Sequence, residues 1–307
     1  MHTPVLLQEV LQALDPKPGE FMIDGTLGAG GHARELIKRV GKFGMFLGTD
    51  WDPDAVLHFK VPESGEVQRV IVRNASYTAI PEILKDEELP KADGLLLDLG
   101  FSSTQVEDAK RGFSFLHDGP LDMRYTTGGI SAAEVVNSYR ENELADILYQ
   151  YGDERFSRQI AKRIVEERRT ARIMTTRRLA DIVVTATPAR FRHGRIHAAT
   201  KTFQALRIYV NHEFENIESI LNSLDGVLKP GGRVAVITFH SLEDTIVKKK
   251  FQELAKEGKA ELLMKKPLAP TDEEVEKNPR SRSAKLRAIR WMPQEAPTPH
   301  TEHEHYL

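Results

Sequence analysis

Three aspartates, each closing a short apolar run, are the residues of this sequence best placed to do chemistry. Asp24 ends Phe21 to Ile23, Asp50 ends Met45 to Gly48, and Asp98 ends a run that starts at Ala92. Between the first two lie Gly25, Gly28, Gly30 and Gly31, then a helical pattern that opens near His32 and repeats at Ala33, Leu36, Ile37 and Val40. A strand, a glycine loop, a helix and a second strand tipped by an acid make half of a nucleotide-binding βαβ unit. A carboxylate at Asp50 suits a ribose hydroxyl, whichever nucleotide carries it.

The glycine loop admits two cofactors. Gly28-Ala29-Gly30-Gly31-His32-Ala33 fits the dinucleotide fingerprint G-x-G-x-x-A, with Asp50 about twenty residues on. Asp24 argues the other way. A pyrophosphate depends on unopposed amide N–H groups at a helix N-terminus, and a carboxylate at the mouth of the loop repels it. S-adenosylmethionine (SAM) carries an ammonium and a sulfonium instead, and a carboxylate attracts both. The sign of the charge favours SAM, with a dinucleotide, or a glycine turn holding no ligand, as the alternatives. Tyr77 leaves the third strand where it could cover a nucleobase or pack half-buried. After Asp98 the loop Phe101-Ser102-Ser103-Thr104-Gln105 is polar and leaves its strand on the side that faces ligand.

The elements that must position these residues alternate strand and helix as far as residue 108. A helix led by Thr3 as cap and Pro4 at its first position comes first. Strands follow at Phe21–Asp24, Met45–Asp50, Val67–Val72 and Ala92–Asp98, with a short helix from Asp54 to Phe59. From Asp108 the rhythm stops in an ordered loop, RGFSFLHDGPLDMRY, and helices are expected over Ala132–Tyr149, Asp153–Arg169 and Thr175–Thr187. One long helix, Ala198–Leu224, returns the chain to the sheet. Leu228 to Gly232 reads as a turn before a strand from Arg233 to Phe239. Ser241 is expected to cap the next helix, with Glu243 and Asp244 in its first turn. Two strands, Ala260–Lys265 and Leu286–Trp291, end the fold as a hairpin-like pair. The expected fold is α/β, a doubly wound seven-stranded sheet interrupted by an all-helical insertion. Its divisions are 1–108 and 204–293 for the core, 109–203 for the insertion, and 294–307 for a Pro- and His-rich tail expected to be disordered.

Composition excludes several classes. There is no cysteine, hence no disulfide framework and no thiolate metal site. No metal site is expected elsewhere, the tail histidines included. No stretch approaches a membrane span, and the N-terminal residues lack the layout of a signal peptide, so a cytoplasmic protein without a membrane partner is expected. The net charge of −2 hides an asymmetry: Arg155 to His212 holds 14 Lys or Arg against three acids, +11 for that stretch and −13 for the rest. Such a separation points to a polyanion-binding face. His240 beside Ser241 invites a hydrolase reading, but neighbours do not readily pair as nucleophile and base, and no G-x-S-x-G elbow is present.

Several separated motifs then coincide. His2–Leu7, DGTLGAGGH at Asp24–His32, LLLDLG at Leu95–Gly100, RGFSF at Arg111–Phe115, DGPLDMR at Asp118–Arg124, TFQALR at Thr202–Arg207, FHSLED at Phe239–Asp244 and NPRSRS at Asn278–Ser283 run in order along the chain. In these the sequence resembles the bacterial small-subunit ribosomal RNA cytosine-N4 methyltransferases, a SAM-dependent family. The resemblance implies a class I methyltransferase core with an RNA-facing insertion. It implies 16S ribosomal RNA, within the small ribosomal subunit, as partner, and a decoding-centre cytosine as target; homodimerisation is left open.

By motif, Gly30, Gly31, His32, Asp50, Tyr77, Asp98 and Gln105 are the implied cofactor contacts, beside Asp24 and Gly28 from the sign argument. Tyr77 replaces a phenylalanine usual in the family, and Phe101 a smaller aliphatic residue. Amino-methyltransferases commonly carry an acid-Pro-Pro-aromatic loop after the fourth strand, and here Asp98 to Ser103 takes that place without prolines. Asp98 and adjacent backbone groups as far as Ser102 are expected to orient the cytosine N4, with Phe101 or Phe113 stacking on the base. Arg163, Arg168, Arg169, Arg192, His240, Arg280 and Arg282 are the expected RNA contacts. The rivals are an NAD-dependent oxidoreductase and a non-catalytic RNA-binding or ribosome-assembly factor.

Overall fold

In the computed structural model, which describes residues 4–61, 67–100, 108–126, 128–192 and 196–293, seven strands form one sheet in the order β3-β2-β1-β4-β5-β7-β6. β1 (Phe21–Asp24), β2 (Met45–Asp50), β3 (Arg69–Asn74), β4 (Ala92–Asp98) and β5 (Leu228–Thr238) are parallel; β7 (Lys285–Trp291) runs antiparallel to both β5 and β6 (Ala260–Leu262). β1 and β4 are continuous apolar runs because helices cover both faces. On one face Met22, Phe46 and Leu286 pack on α1 (Leu7–Leu14) and α2 (Gly31–Val40). On the other, Ile23, Leu95 and Val236 pack under α4 (Ile80–Asp86) and two later helices. The short α3 (Pro53–His58) follows β2. The strand order reverses between β1 and β4, which opens the crevice where ligands bind in such sheets.

Between β4 and β5 the described chain is helical: α5 (Ala132–Ser138), α6 (Glu141–Gly152), α7 (Ser157–Thr170), α8 (Thr176–Ala186), α9 (Thr200–Val210), α10 (Glu213–Asn222) and the single turn α11 (Leu224–Val227). After β5 come α12 (Ser241–Lys256) and α13 (Asp272–Lys277). A third apolar cluster, from Phe113 to Val210, is built by α5 to α9 together with the loop that carries Leu121 and Met123. It runs through α9, whereas the sequence reading returned the chain to the core at 204. Gly112 makes the loop possible: its φ is +71°, and a Cβ there would lie 2.1 Å from the Pro120 carbonyl oxygen. Among the described residues no helix is long and apolar enough to cross a membrane.

Several expected bounds are corrected. The N-terminal helix starts at Leu7, after Leu6 in the left-handed region, so Pro4 is not its first residue; the Leu6 N–H is held by the Glu274 carboxylate of α13 at 2.8 Å. The helix expected over 132–149 splits at Tyr139–Arg140. The helix expected over 198–224 breaks at Asn211 and His212, the latter at φ 52°. Asn211 is the cause. Its amide donates to the carbonyls of Met123 and Arg207, both at 2.8 Å, and its Oδ1 accepts the Tyr125 N–H at 2.8 Å. The stretch Leu228–Gly232 lies inside β5, at a register shift, and is not a separate turn. The cap of α12 is His240, whose Nδ1 accepts the Glu243 N–H, and not Ser241.

The bend at Asn211 brings Arg207 of α9 against Glu213 of α10. Two hydrogen bonds of 2.9 Å join them in a fork, both side chains are buried, and Glu243 lies 4.0 Å beyond. This pair sits where the helical cluster meets the sheet. Arg207→Met should therefore leave buried carboxylates without their cation and lower the unfolding free energy by about 3–5 kcal/mol; denaturant unfolding measures it, and a loss below about 1 kcal/mol would contradict the assignment.

Candidate cofactor and substrate site

The carboxyl ends of β1, β2 and β4 open into a cavity of about 640 Å³. Gly25, Gly28, Gly31 and His32 form its floor, Asp50 and Tyr77 one flank, and Asp98, Leu99 and Gly100 the other. Gly25 allows the strand end to pass under Tyr77, since a Cβ there would lie 2.9 Å from the tyrosine Cβ and 2.7 Å from Leu97. The wall opposite the glycine loop comes from the helical side: Arg111, Tyr125, Asn211, Glu213 and Asn216.

Two acids end the strands at this crevice: Asp98 lines it, and Asp24 is buried and does not. Asp24 is 1% exposed, and its Oδ1 accepts both the N–H and the hydroxyl of Thr26 at 3.0 and 3.3 Å. Thr26 Oγ1 in turn accepts the Asp98 N–H at 2.7 Å, so one threonine ties the two strand ends together. Asp98 is partly buried, and its Oδ1 has no hydrogen-bond partner among the described residues. Burial, then the charges of Asp24 and Glu243, push its carboxyl up to about 8. Burial likewise raises Asp24 to about 7, against the hydrogen bonds from Thr26. The nearest imidazole is that of His32, whose Nδ1 lies 3.8 Å from Asp98 Oδ2 while its Nε2 donates to the Val5 carbonyl at 3.0 Å.

Asp50 is held by its own loop. It accepts the N–H of Gly28 at 2.7 Å on one oxygen and that of Asp52 at 2.8 Å on the other, and burial raises its pKa. The same Gly28 bond fixes the glycine loop against β2. A ribose hydroxyl would find the remaining lone pairs of this carboxylate.

Of the residues the sequence reading singled out, Gly28, Gly31, His32, Asp50, Tyr77 and Asp98 line one cavity; Asp24 is buried and is not part of its lining, and Gly30 lies behind the loop at φ 73° against Phe59. Phe101, Ser102 and Gln105 lie outside the described residues, as does the tail. Phe113 does not line the cavity. Its ring stacks on Tyr125, 5.4 Å between centroids at 24°, and it is Tyr125 that faces the space, with Trp51 edge-on at 5.6 Å. Tyr125 is braced at its hydroxyl by Glu213 (3.0 Å), at its N–H by Asn211 and at its carbonyl by Arg111, which also reaches Asp52 at 3.1 Å. These wall residues were missed; Arg111 and Tyr125 flank the motif loop already singled out, and Asn211 and Glu213 had no local signal at all.

The expected RNA contacts separate into kinds. Arg280 reaches the cavity rim, and Arg282 and Arg169 are exposed. Arg163 pairs with Glu167 at 2.7 Å and Glu166 at 3.6 Å. Arg168 donates to the Val136 carbonyl, and Arg192 to those of Thr187 and Thr185. His240 caps α12, its Nε2 3.0 Å from Glu243. Glu213, His240 and Glu243 bring three ligand atoms within 4.8 Å of one another, but Arg207 already occupies both Glu213 oxygens.

The sequence can now be placed among known proteins. Residues 1–292 match the family model described as the MraW methylase family. The ribosomal RNA small subunit methyltransferase H of Syntrophobacter fumaroxidans is 42% identical over 304 residues, covering 94% of this chain and 95% of its own. Those of Syntrophotalea carbinolica and Rickettsia massiliae are 44% and 45% identical, each covering 94% of this chain and 97% of its own. With a glycine loop, three strand-end acids and a single interrupted sheet, all within a match that spans nearly its whole length, this chain belongs to the MraW methylase family.

Proposed function

We propose that this protein transfers the methyl group of SAM to the exocyclic N4 of a cytosine in small-subunit ribosomal RNA. The observation that carries the reading is Asp98, which lines a cavity at the β1/β4 switch point with its Oδ1 unpartnered among the described residues and a second buried acid, Asp24, linked to it through Thr26. Two adjacent carboxylates favour a cationic cofactor and disfavour the pyrophosphate of a dinucleotide. The curated relatives, named for small-subunit ribosomal RNA, support the substrate class. Asp50 would hold the ribose, Tyr77 and the glycine loop the adenosine, and Asp98 the charged end, with the buried Asp24 adding its field from beneath.

SAM, when bound, supplies the activated methyl. The remaining work belongs to the chain. Cytosine N4 is a poor nucleophile because its lone pair is delocalised into the ring, so the site must hold it in line and accept its hydrogens. The Asp98 carboxylate is the acceptor we assign to that task, with Tyr125 as the flat wall against the extruded base in place of Phe113. SAM would supply the methyl carbon to the N4 lone pair and leave as a neutral thioether, the C–S electrons staying on sulfur. Positive charge thereby moves to N4, which then releases one proton. Asp98, raised to about 8 by burial and by the charges of Asp24 and Glu243, is well matched to receive it. The helical unit and the outward-facing arginines would hold the RNA by its phosphates.

Labelled SAM incubated with small subunits that lack the modification should yield N4-methylcytidine on nucleoside analysis; label on another nucleoside would overturn the target, and SAM binding without any transfer would overturn the substrate. Replacing Asp98 by Asn keeps its shape and removes the proton acceptor, so kcat should fall by about 10²- to 10⁴-fold. An Asp98→Ala enzyme working at full rate would remove Asp98 from the chemistry.

A further inference from the structure

Away from the cavity, at the start of α7, two aromatic rings and two arginines form a cluster to which the reaction gives no role. Phe156 and Phe191 meet with 5.2 Å between ring centroids, tilted by 46°. The Arg155 guanidinium lies over both, 5.7 Å from the Phe156 ring and 5.4 Å from that of Phe191, and Arg190 lies 4.8 Å over Phe191. Phe156 is rooted in the helical cluster, while Phe191 is 36% exposed. Both arginines are exposed, and neither is engaged by an acid among the described residues. The short turn beneath them, Ala189–Phe191, is braced by the next residue, whose guanidinium donates to the carbonyls of Thr187 and Thr185 at 2.8 and 3.0 Å. The base of the cluster is therefore fixed and its cations are left to solvent.

An aromatic ring flanked by guanidinium planes offers stacking and cation–π attraction to any flat π-system. Along α7, the exposed Arg158, Lys162 and Arg169 recur at four and seven residues, which places them on one helical face. The acid nearest to that stripe, Glu166, is turned to Arg163. A ring platform at one end of a cationic stripe fits a single-stranded nucleic acid, with a base on the ring and phosphates along the helix. A duplex keeps its bases stacked inside and would meet only the charges.

We propose that Phe191, with Arg155 and Arg190, is a stacking platform for one unpaired nucleotide of the substrate RNA, separate from the nucleotide that is methylated. The proposal rests on the reading of the chain as an RNA methyltransferase. It makes the helical unit a reader of strandedness as well as of charge.

The test uses the full chain, a labelled single-stranded RNA oligonucleotide, a duplex of the same length, and methyl transfer to unmodified small subunits. Phe191→Leu should weaken single-strand binding by about 5- to 100-fold and raise KM for the subunit in step. It should leave kcat, SAM affinity and duplex affinity unchanged, and Phe191→Tyr should restore the loss. The pair Arg155→Gln and Arg190→Gln should flatten the salt dependence of single-strand binding by about 1.4 in log–log slope. Unchanged single-strand binding and KM in Phe191→Leu, with wild-type transfer intact, would overturn the platform and leave the function standing. An equal loss on duplex and single strand would overturn it too, reducing the cluster to phosphate contact. A wild-type protein that binds SAM but neither binds nor methylates RNA would overturn the reading beneath the proposal, and the platform with it.

Discussion

The structure depends on a pair of carboxylates that the fold buries together with no lysine or arginine bonded to either among the described residues. Asp24 and Asp98 end adjacent parallel strands, linked through Thr26, and burial raises both far above the ordinary carboxylate range. The arrangement disfavours ionisation of either group. The native state holds protons that the unfolded chain has lost, so the contribution of these groups to stability falls as pH climbs from 3.8 towards 7 and 8. Positive charge brought to the cavity beside Asp98 favours the ionised form of both acids. A dinucleotide would bring the opposite sign to the same place.

The far wall of the cavity is held largely by a second buried polar network, this one containing a cation. Arg207 forks onto Glu213, Glu213 also takes the Tyr125 hydroxyl, and Asn211 ties Met123, Tyr125 and the end of α9 together. The network joins the helical cluster to the sheet and sets the ring that faces the cavity. One side of the site is thus electrostatically frustrated until ligand arrives, and the other is rigid beforehand. That division suits a reaction in which the cofactor brings the reactivity and the protein mainly positions a weak nucleophile.

What could be read from the sequence follows the range of each signal. Apolar runs ending in Asp24, Asp50 and Asp98 are local patterns, and with the glycine loop they place half the site and the seven strands. The opposite wall is not local. Asn211 breaks a helix whose periodicity is continuous, through bonds to residues some 88 positions away in the chain. Arg207 counts as one of the basic residues in the composition, yet it is buried against Glu213 and takes no part in any surface charge. Phe113 and Tyr125 are both aromatics of one motif loop, and only packing decides which faces the ligand. Ser241 and His240 compete for one cap, and the imidazole wins because Glu243 offers it both an N–H and a carboxylate.

The most direct test of the account is the proton count on SAM binding. Titration calorimetry at pH 7 in buffers of different ionisation enthalpy measures it, at a pH below the titration of the amine of SAM itself. Because a bound cation favours the ionised forms of Asp24 and Asp98, binding should release protons, and Asp98→Asn should release fewer. Affinity should accordingly strengthen as pH rises through 7 to 8. Binding with no proton release, or with net uptake, would contradict the claim that these two buried acids are the seat of the cofactor's positive charge.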